Sequence, residues 1–312
     1  WGRNVPASLR RNPRTTVPRL WRPLGAKTEV FLHKGVPRNL DGAPEPPRQR
    51  ASRLKTILSA SIKGGVGKTT VAVGTARALQ RRGLRVGILD LDYRSPCVPL
   101  VLGVDGALVA RTAQDALVPV EAQGLYIFSM AYVWDADQAV MVEDDGAATD
   151  VVQLLRPGVI AWPELDYLVC DTPPTSSGIV RAALEASGAT GAILVTQPSK
   201  VGWAATIRTL DLFAQKQVPV YALVSNQGMD ECNPGVYRYD LGDGDIASLA
   251  LIHHIPIFEC IPHAVKLDPH FDRLAAQLVN TTPVLLPKPP EPEGKSWQRI
   301  VQWAQRTATQ PR

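Results

Sequence analysis

SASIKGGVGKTT, residues 59–70, is the stretch on which the reading of this chain turns. Gly64, Gly65 and Gly67 let the backbone bend so that successive N–H groups converge on one point, as a phosphate cradle requires. The apolar run before it, TILSA (56–60), reads as a buried strand. The run after it, TTVAVGTARALQRRG (69–83), reads as a helix stopped by Arg-Arg-Gly. A glycine-rich turn between a strand and a helix is the setting that makes such a motif specific. Gly64, Gly65, Val66, Gly67, Lys68, Thr69 and Thr70 are therefore expected to bind ATP, with Lys68 reaching the β- and γ-phosphates and the Thr69 hydroxyl ligating Mg²⁺.

The pattern G-x-x-x-x-G-K-[ST] fails at one position, because Ile62 stands where the first glycine belongs. The variant K-G-G-x-x-K-[ST] fits in full, and its extra lysine, Lys63, marks the deviant Walker A class. Working outward, short apolar runs recur: RVGILD (85–90), LYIFSM (125–130), DYLVCD (166–171), GAILVT (191–196), VYALVS (220–225) and IPIFEC (255–260). They suit strands buried on both faces. Helical stretches lie between many of them, including SGIVRAALEAS and VGWAATIRTLDLFAQK, and a further helix is expected around 271–279. The alternation predicts an α/β fold of the P-loop NTPase type, a mostly parallel sheet with helices on both faces, and ligands in such sheets bind at the carboxyl ends of the strands. Asp90 and Asp92 end the second run and Asp171 the fourth, where carboxylates can hold Mg²⁺ through water and orient an attacking water.

Charge divides the chain. Residues 1–53 hold 12 Lys/Arg against 3 Asp/Glu, a net +9, which leaves the rest at −4 within the total of +5. Arginine and proline crowd this segment, and proline removes helical donors, so an extended basic arm is expected. Two readings stay open: the remains of a mitochondrial import region, in a chain that starts at Trp1 rather than Met, or a contact for RNA through arginines interleaved with Trp1 and Trp21. The expected organisation is the arm at 1–53, the nucleotide domain at 54–282, and a Pro-rich linker with a short C-terminal helix at 283–312. That helix, near 296–307, either packs on its own domain or docks a partner. No run of 18 apolar residues occurs, so no membrane span is expected. Cys97, Cys170, Cys232 and Cys260 stand apart from one another, which suits a reducing compartment better than a disulfide framework. His253-His254 reads as a helix end and His33, His263 and His270 show no ligand spacing.

Taken in order, these motifs resemble the Mrp and nucleotide-binding-protein-like P-loop ATPases, relatives of MinD and ParA, over about residues 34–285. GILDLDYRSPCVP is similar to the family's first switch, ELDYLVCDTPP to its second, and PVEAQGLYIFSMAYVWDADQAV to the segment between; HKGVPR looks like the short arm that precedes the first strand. The resemblance implies a homodimer that sandwiches nucleotide, with Lys63 reaching the partner's phosphates, Asp92 orienting water, Asp171 holding Mg²⁺ through water and Asn226 reading adenine. It also implies carriage of iron–sulfur clusters to client apoproteins and, in the mitochondrial branch, a role in assembling respiratory complex I.

The chain departs from the family in two places. After the second switch, Thr175-Ser176-Ser177-Gly178 replaces G-T-G-D. Six residues past Asn226, where the family has C-P-x-C, stands Cys232-Asn233-Pro234-Gly235. Cys232 is the one candidate cluster ligand there, and a bridging [4Fe–4S] cluster needs four thiolates where a dimer offers two. Two functions follow: an ATP-hydrolysing protein that delivers an iron–sulfur cluster or supports its insertion, or a cluster-free, nucleotide-dependent assembly factor on a respiratory complex or ribonucleoprotein. A positioning ATPase of ParA type is disfavoured by the −4 of the body, which offers no DNA surface. The mitochondrial matrix is the expected compartment, with the cytoplasm as alternative.

Overall fold

The computed structural model describes residues 54–93, 95–132, 149, 151–173, 182–183, 188–233, 236–239, 246–263 and 267–288, with the backbone alone for 228–233 and 236–239. The basic arm, the acidic segment at 134–140, the second-switch continuation Thr175–Gly178, Gly235 and the C-terminal helix lie outside these residues.

Nine strands form one sheet: β1 (Lys55–Ala60), β2 (Val86–Asp90), β3 (Val120–Ala122), β4 (Leu125–Ser129), β5 (Tyr167–Asp171), β6 (Gly191–Thr196), β7 (Val220–Asn233), β8 (Val236–Tyr239) and β9 (Ile257–His263). The order is β3-β4-β2-β5-β1-β6-β7-β8, and β9 also pairs with β7. Every pairing is parallel except β3 with β4 and β7 with β8. Strand β1 lies between β5 and β6, and the chain fills one side of it before crossing to the other. The crevice at the end of β1 is thus the topological switch point where open α/β sheets take their ligands.

The continuous apolar runs follow from burial on both faces. Along each central strand, neighbours alternate between two separate cores: Leu58, Leu89, Cys170 and Leu194 enter one, and Ile57, Ile88, Val169 and Ile193 the other. Helix α1 (Lys68–Arg81) covers the second core through Val71, Ala72, Ala76 and Leu79. Helix α2 (Val98–Leu102) is short and ends on Gly103 in the left-handed region. Helix α3 (Lys200–Lys216), capped by the Ser199 hydroxyl accepting from the Gly202 N–H, puts Leu210 and Phe213 into the first core. Helix α4 (Ile246–Ile252) adds Ile246 and Leu249 to that core, and α5 (Asp268–Asn280) adds Phe271 and Leu274 to the second. Gly74 makes the α1–α5 contact possible, since a Cβ there would lie 2.3 Å from the Phe271 ring.

The structure departs from the sequence expectation at the edges. Strand β3 was not expected; three residues of mixed polarity are too short to show a period. Its turn into β4, Gln123-Gly124, has positive φ at both positions, the backbone of a tight hairpin. Strand β7 runs on to Asn233 instead of ending at Ser225, and the extension pairs with β8 at the edge of the sheet. Within the stretch read as a Pro-rich linker, Val284 pairs with Val220 and Leu286 is buried in the first core.

Candidate phosphate and carboxylate site

Helix α1 begins at Gly67, whose φ of +88° is in the left-handed region and whose side-chain-free N-cap leaves the first-turn N–H groups without a capping oxygen. No acidic residue occupies that first turn. The positive end of the helix therefore faces the loop undiluted. The loop is braced from below. Ser59, fully buried on β1, donates its hydroxyl to the Lys68 carbonyl at 2.9 Å. Thr172, just past β5, donates to the Ser59 carbonyl at 2.9 Å. Asn226 on β7 donates its amide to the Val66 carbonyl at 2.8 Å. A Cβ at position 67 would sit 2.1 Å from that amide nitrogen, so the loop can follow this path only with glycine there.

The carboxylates meet at the ends of adjacent strands. Asp90 on β2 and Asp171 on β5 are register partners, and Asp171 is also in register with Ser59 on β1. Asp90 is fully buried and fully engaged: its oxygens accept from the Asp92 N–H (3.1 Å), the Val98 N–H (3.2 Å) and the Ser129 hydroxyl (2.9 Å). It ties the first switch segment to the sheet. Asp92 is half-buried, two residues past the end of β2, and accepts from the Ser95 N–H at 3.1 Å. Asp171 is buried and hydrogen-bonded to the Thr69 hydroxyl, yet its Oδ1 has no hydrogen-bond partner. An unpartnered buried carboxylate oxygen beside a phosphate loop is a donor of the kind that fits a hard cation.

Lys68 is buried, and burial lowers its ammonium below the ordinary range while Asp171 and Asp92 act against that shift. Lys63 is held differently. Its ammonium donates to Oε1 of Gln197 at 2.9 Å, and Gln197 in turn donates to Oε1 of Gln227 at 2.7 Å. Neither glutamine was expected from sequence. Gln197 follows β6, the neighbour of β1, so strand adjacency was the signal that could have found it. Asn226 shows a role the sequence did not suggest, as a brace for the loop. Cys97 lies at the head of α2, Cys170 in the first core and Cys260 on β9 beside Ser225; the Cys232 backbone belongs to β7.

A sequence profile described as the ParA-type "NUBPL iron-transfer P-loop NTPase" matches residues 53–302. The chain belongs to the NUBPL iron-transfer P-loop NTPase family. The iron-sulfur cluster carrier protein of Haemophilus influenzae is 30% identical over 259 residues, covering 82% of this chain and 67% of that protein. The carrier protein of the same name from Deinococcus radiodurans is 38% identical over 212 residues, covering 68% of this chain and 59% of its own length. The chain thus spans about three fifths to two thirds of these relatives. Among solved structures, a nucleotide-binding protein in complex with ADP from Archaeoglobus fulgidus superposes with a TM-score of 0.59 at 27% identity, over 75% of this chain and 94% of that one. The cell division ATPase MinD of Pyrococcus furiosus shares the fold, with a TM-score of 0.53 at 19% identity over 72% of this chain and 98% of its own.

In this NUBPL-family site, burial pushes the Asp90 carboxyl up to about 7. Burial, reinforced by the Asp90 charge, pushes Asp171 up to about 8. Unfolded, both return to the ordinary value of 3.8. The folded state therefore holds these protons more tightly, and the stability they contribute is complete below the unfolded value and lost as pH rises through the folded ones. Protein free of nucleotide and Mg²⁺ should melt at a lower temperature near pH ~8.5 than near pH ~6, and Asp171→Asn should flatten that slope. Thermal melts across the window check this; a wild-type slope of opposite sign, or an unchanged slope in the variant, contradicts it.

Proposed function

We propose that this protein binds ATP with Mg²⁺ and acts in delivering an iron–sulfur cluster, or in assembling a cluster-containing complex, as an ATPase of Mrp type with a deviant Walker A motif. The observation that carries the reading is the convergence of the uncapped α1 N-terminus, buried Lys68 and the unpartnered Asp171 oxygen at the switch point of the sheet. Gly64 to Thr70 would cradle the phosphates and Asn226 would meet the adenine. Thr69, Asp92 and Asp171 would hold Mg²⁺, whose charge offsets that of the β- and γ-phosphates when bound. Asp92 would orient the attacking water, and Lys63 would complete the charge on the phosphates from a second copy in a homodimer.

Removing the Lys68 ammonium leaves buried phosphate oxygens without a charge-assisted donor. Lys68→Ala should weaken ATP binding at least about tenfold, roughly 1.4 kcal/mol. Asp92→Ala should leave ATP bound while single-turnover hydrolysis falls. Calorimetry and rapid-quench assays test the pair, and unchanged ATP affinity in Lys68→Ala rejects the nucleotide reading.

Gly235 favours a second reading, in which the nucleotide switch persists without a cluster and serves as an assembly factor. One Cys232 per chain supplies two of the four thiolates a bridging cluster needs. Anaerobic reconstitution followed by iron and sulfide analysis should give no stable four-iron cluster at that position. A four-iron cluster lost in Cys232→Ser would restore the carrier function.

The arginine-rich composition of the arm supports the mitochondrial matrix as compartment, with the cytoplasm as alternative. The domain limits we assign are 1–53, 54–282 and 283–312, with Val284 and Leu286 at the start of the last segment packed on the nucleotide domain. The +9 arm beside a body of −4 is our candidate contact for RNA. Deleting residues 1–32 should abolish RNA binding at low salt and leave ATP affinity unchanged; equal RNA affinity with and without the arm would reduce it to an import remnant.

A further inference from the structure

We propose that Gln197 is a positioning residue that reports the phosphate state of the loop to the β7–β8 hairpin, through the chain Lys63–Gln197–Gln227. The inference rests on nucleotide binding at the loop and adds how that event reaches the rest of the protein.

The hydrogen bonds run in one direction. Lys63 Nζ donates to Gln197 Oε1 at 2.9 Å, and Gln197 Nε2 donates to Gln227 Oε1 at 2.7 Å. The same Nε2 lies 3.5 Å from the Gly65 carbonyl, so the amide has a second, weaker acceptor on the loop. Gln197 thus touches three things: the loop's extra lysine, the loop's backbone and the residue after Asn226.

Gln227 is a sensitive place to anchor. Its φ is +56°, which costs energy for any residue with a side chain. The β7–β9 register, regular to Asn226–Ile261, shifts before Asp230–His263. A second shift falls between Glu231 and Asn233 in the β7–β8 ladder, at Cys232. Met229, Asp230 and Glu231 pair with Tyr239, Arg238 and Tyr237 on β8, and Asp230 is also in register with His263; Gln227 therefore lies in the gap between the two regular parts of the β7–β9 ladder, where the strand bends. That bend is tied to the loop twice, by Asn226 to the Val66 carbonyl and by Gln227 to Gln197.

The two ties differ in what nucleotide does to them. The Asn226 bond goes to backbone and involves no charge. Lys63 holds a neutral amide oxygen, and an anionic phosphate oxygen is a stronger acceptor of the same donor. When Mg²⁺-ATP brings two copies together, Lys63 exchanges the amide for a phosphate oxygen of the nucleotide on the second copy. Gln197 then loses the contact that fixes its Oε1, its amide can turn toward Gly65, and Gln227 loses its anchor.

Hydrogen–deuterium exchange of the full chain, with and without Mg²⁺-ATP, tests this. In the wild type, ATP should protect peptides over 62–70 and speed exchange over 227–239 by about fivefold, the equivalent of one ordinary hydrogen bond. In Gln197→Ala and in Gln227→Ala, exchange over 227–239 should already be fast without ATP and gain nothing from it, while 62–70 is still protected. Loop protection without a hairpin response in the wild type overturns the proposal. A wild-type response retained in Gln197→Ala assigns the coupling to Asn226 and also overturns it. Absence of loop protection in the wild type removes the nucleotide reading itself, and this relay with it.

Discussion

The structure depends on the double burial of β1 between β5 and β6. Past the part-exposed Lys55, the buried stretch of β1 from Thr56 to Ala60 carries no charge, because an unpaired charge in either core would be prohibitively costly. Its chemistry must appear where it ends. Three strand ends meet at that level in register: Ser59 on β1, Asp90 on β2 and Asp171 on β5. From this one alignment follow the brace from Ser59 to Lys68, the anchoring of the first switch on Asp90 and the position of the unpartnered Asp171 oxygen. The phosphate loop is shaped by glycines, but it is held in place by groups that the sheet delivers.

The two acids at that level are divided by environment. Both oxygens of Asp90 accept hydrogen bonds from the protein, from two backbone N–H groups and a serine hydroxyl. Asp171 keeps an oxygen in reserve. Burial raises both, yet only the second has unmet demand, and a buried acceptor without a partner is a destabilised group that a cation relieves. Binding energy from a cation at Asp171 would include the relief of that strain, so affinity and apo stability draw on the same oxygen.

Much of this was legible in the sequence. The central strands were found within a residue or two because burial on both faces leaves an apolar run that nothing else in the chain imitates, as GAILVT shows at its full length, Gly191–Thr196. The loop was legible because its glycines have no alternative use between a strand and a helix. The edges were not: β3 is three residues of mixed polarity, and its hairpin is announced only by Gln123-Gly124. The extension of β7 past Ser225 was hidden because its residues, Asn226 to Asn233, are polar and pair outside the double-buried core. Gln197 and Gln227 were invisible for a different reason. A glutamine carries no motif, and the two are 30 positions apart; only the adjacency of β6 and β7 brings their amides together.

That adjacency also explains why one element can sense phosphate and another can respond. The loop follows β1, Gln197 follows β6 and Gln227 lies where β7 leaves the sheet, and these three strands are consecutive neighbours. Each is rigid through its two-sided burial, so displacement cannot be absorbed along the strands and must be expressed at their ends. Side chains at those ends can exchange partners without disturbing the cores. A lysine that prefers phosphate to an amide by virtue of charge, and an amide with two acceptors within reach, form a bistable contact on an otherwise stiff frame. Strand β7 beyond it carries one register shift in its pairing with β9 and another in its pairing with β8. A change at the phosphates would reach it before any core contact had to move.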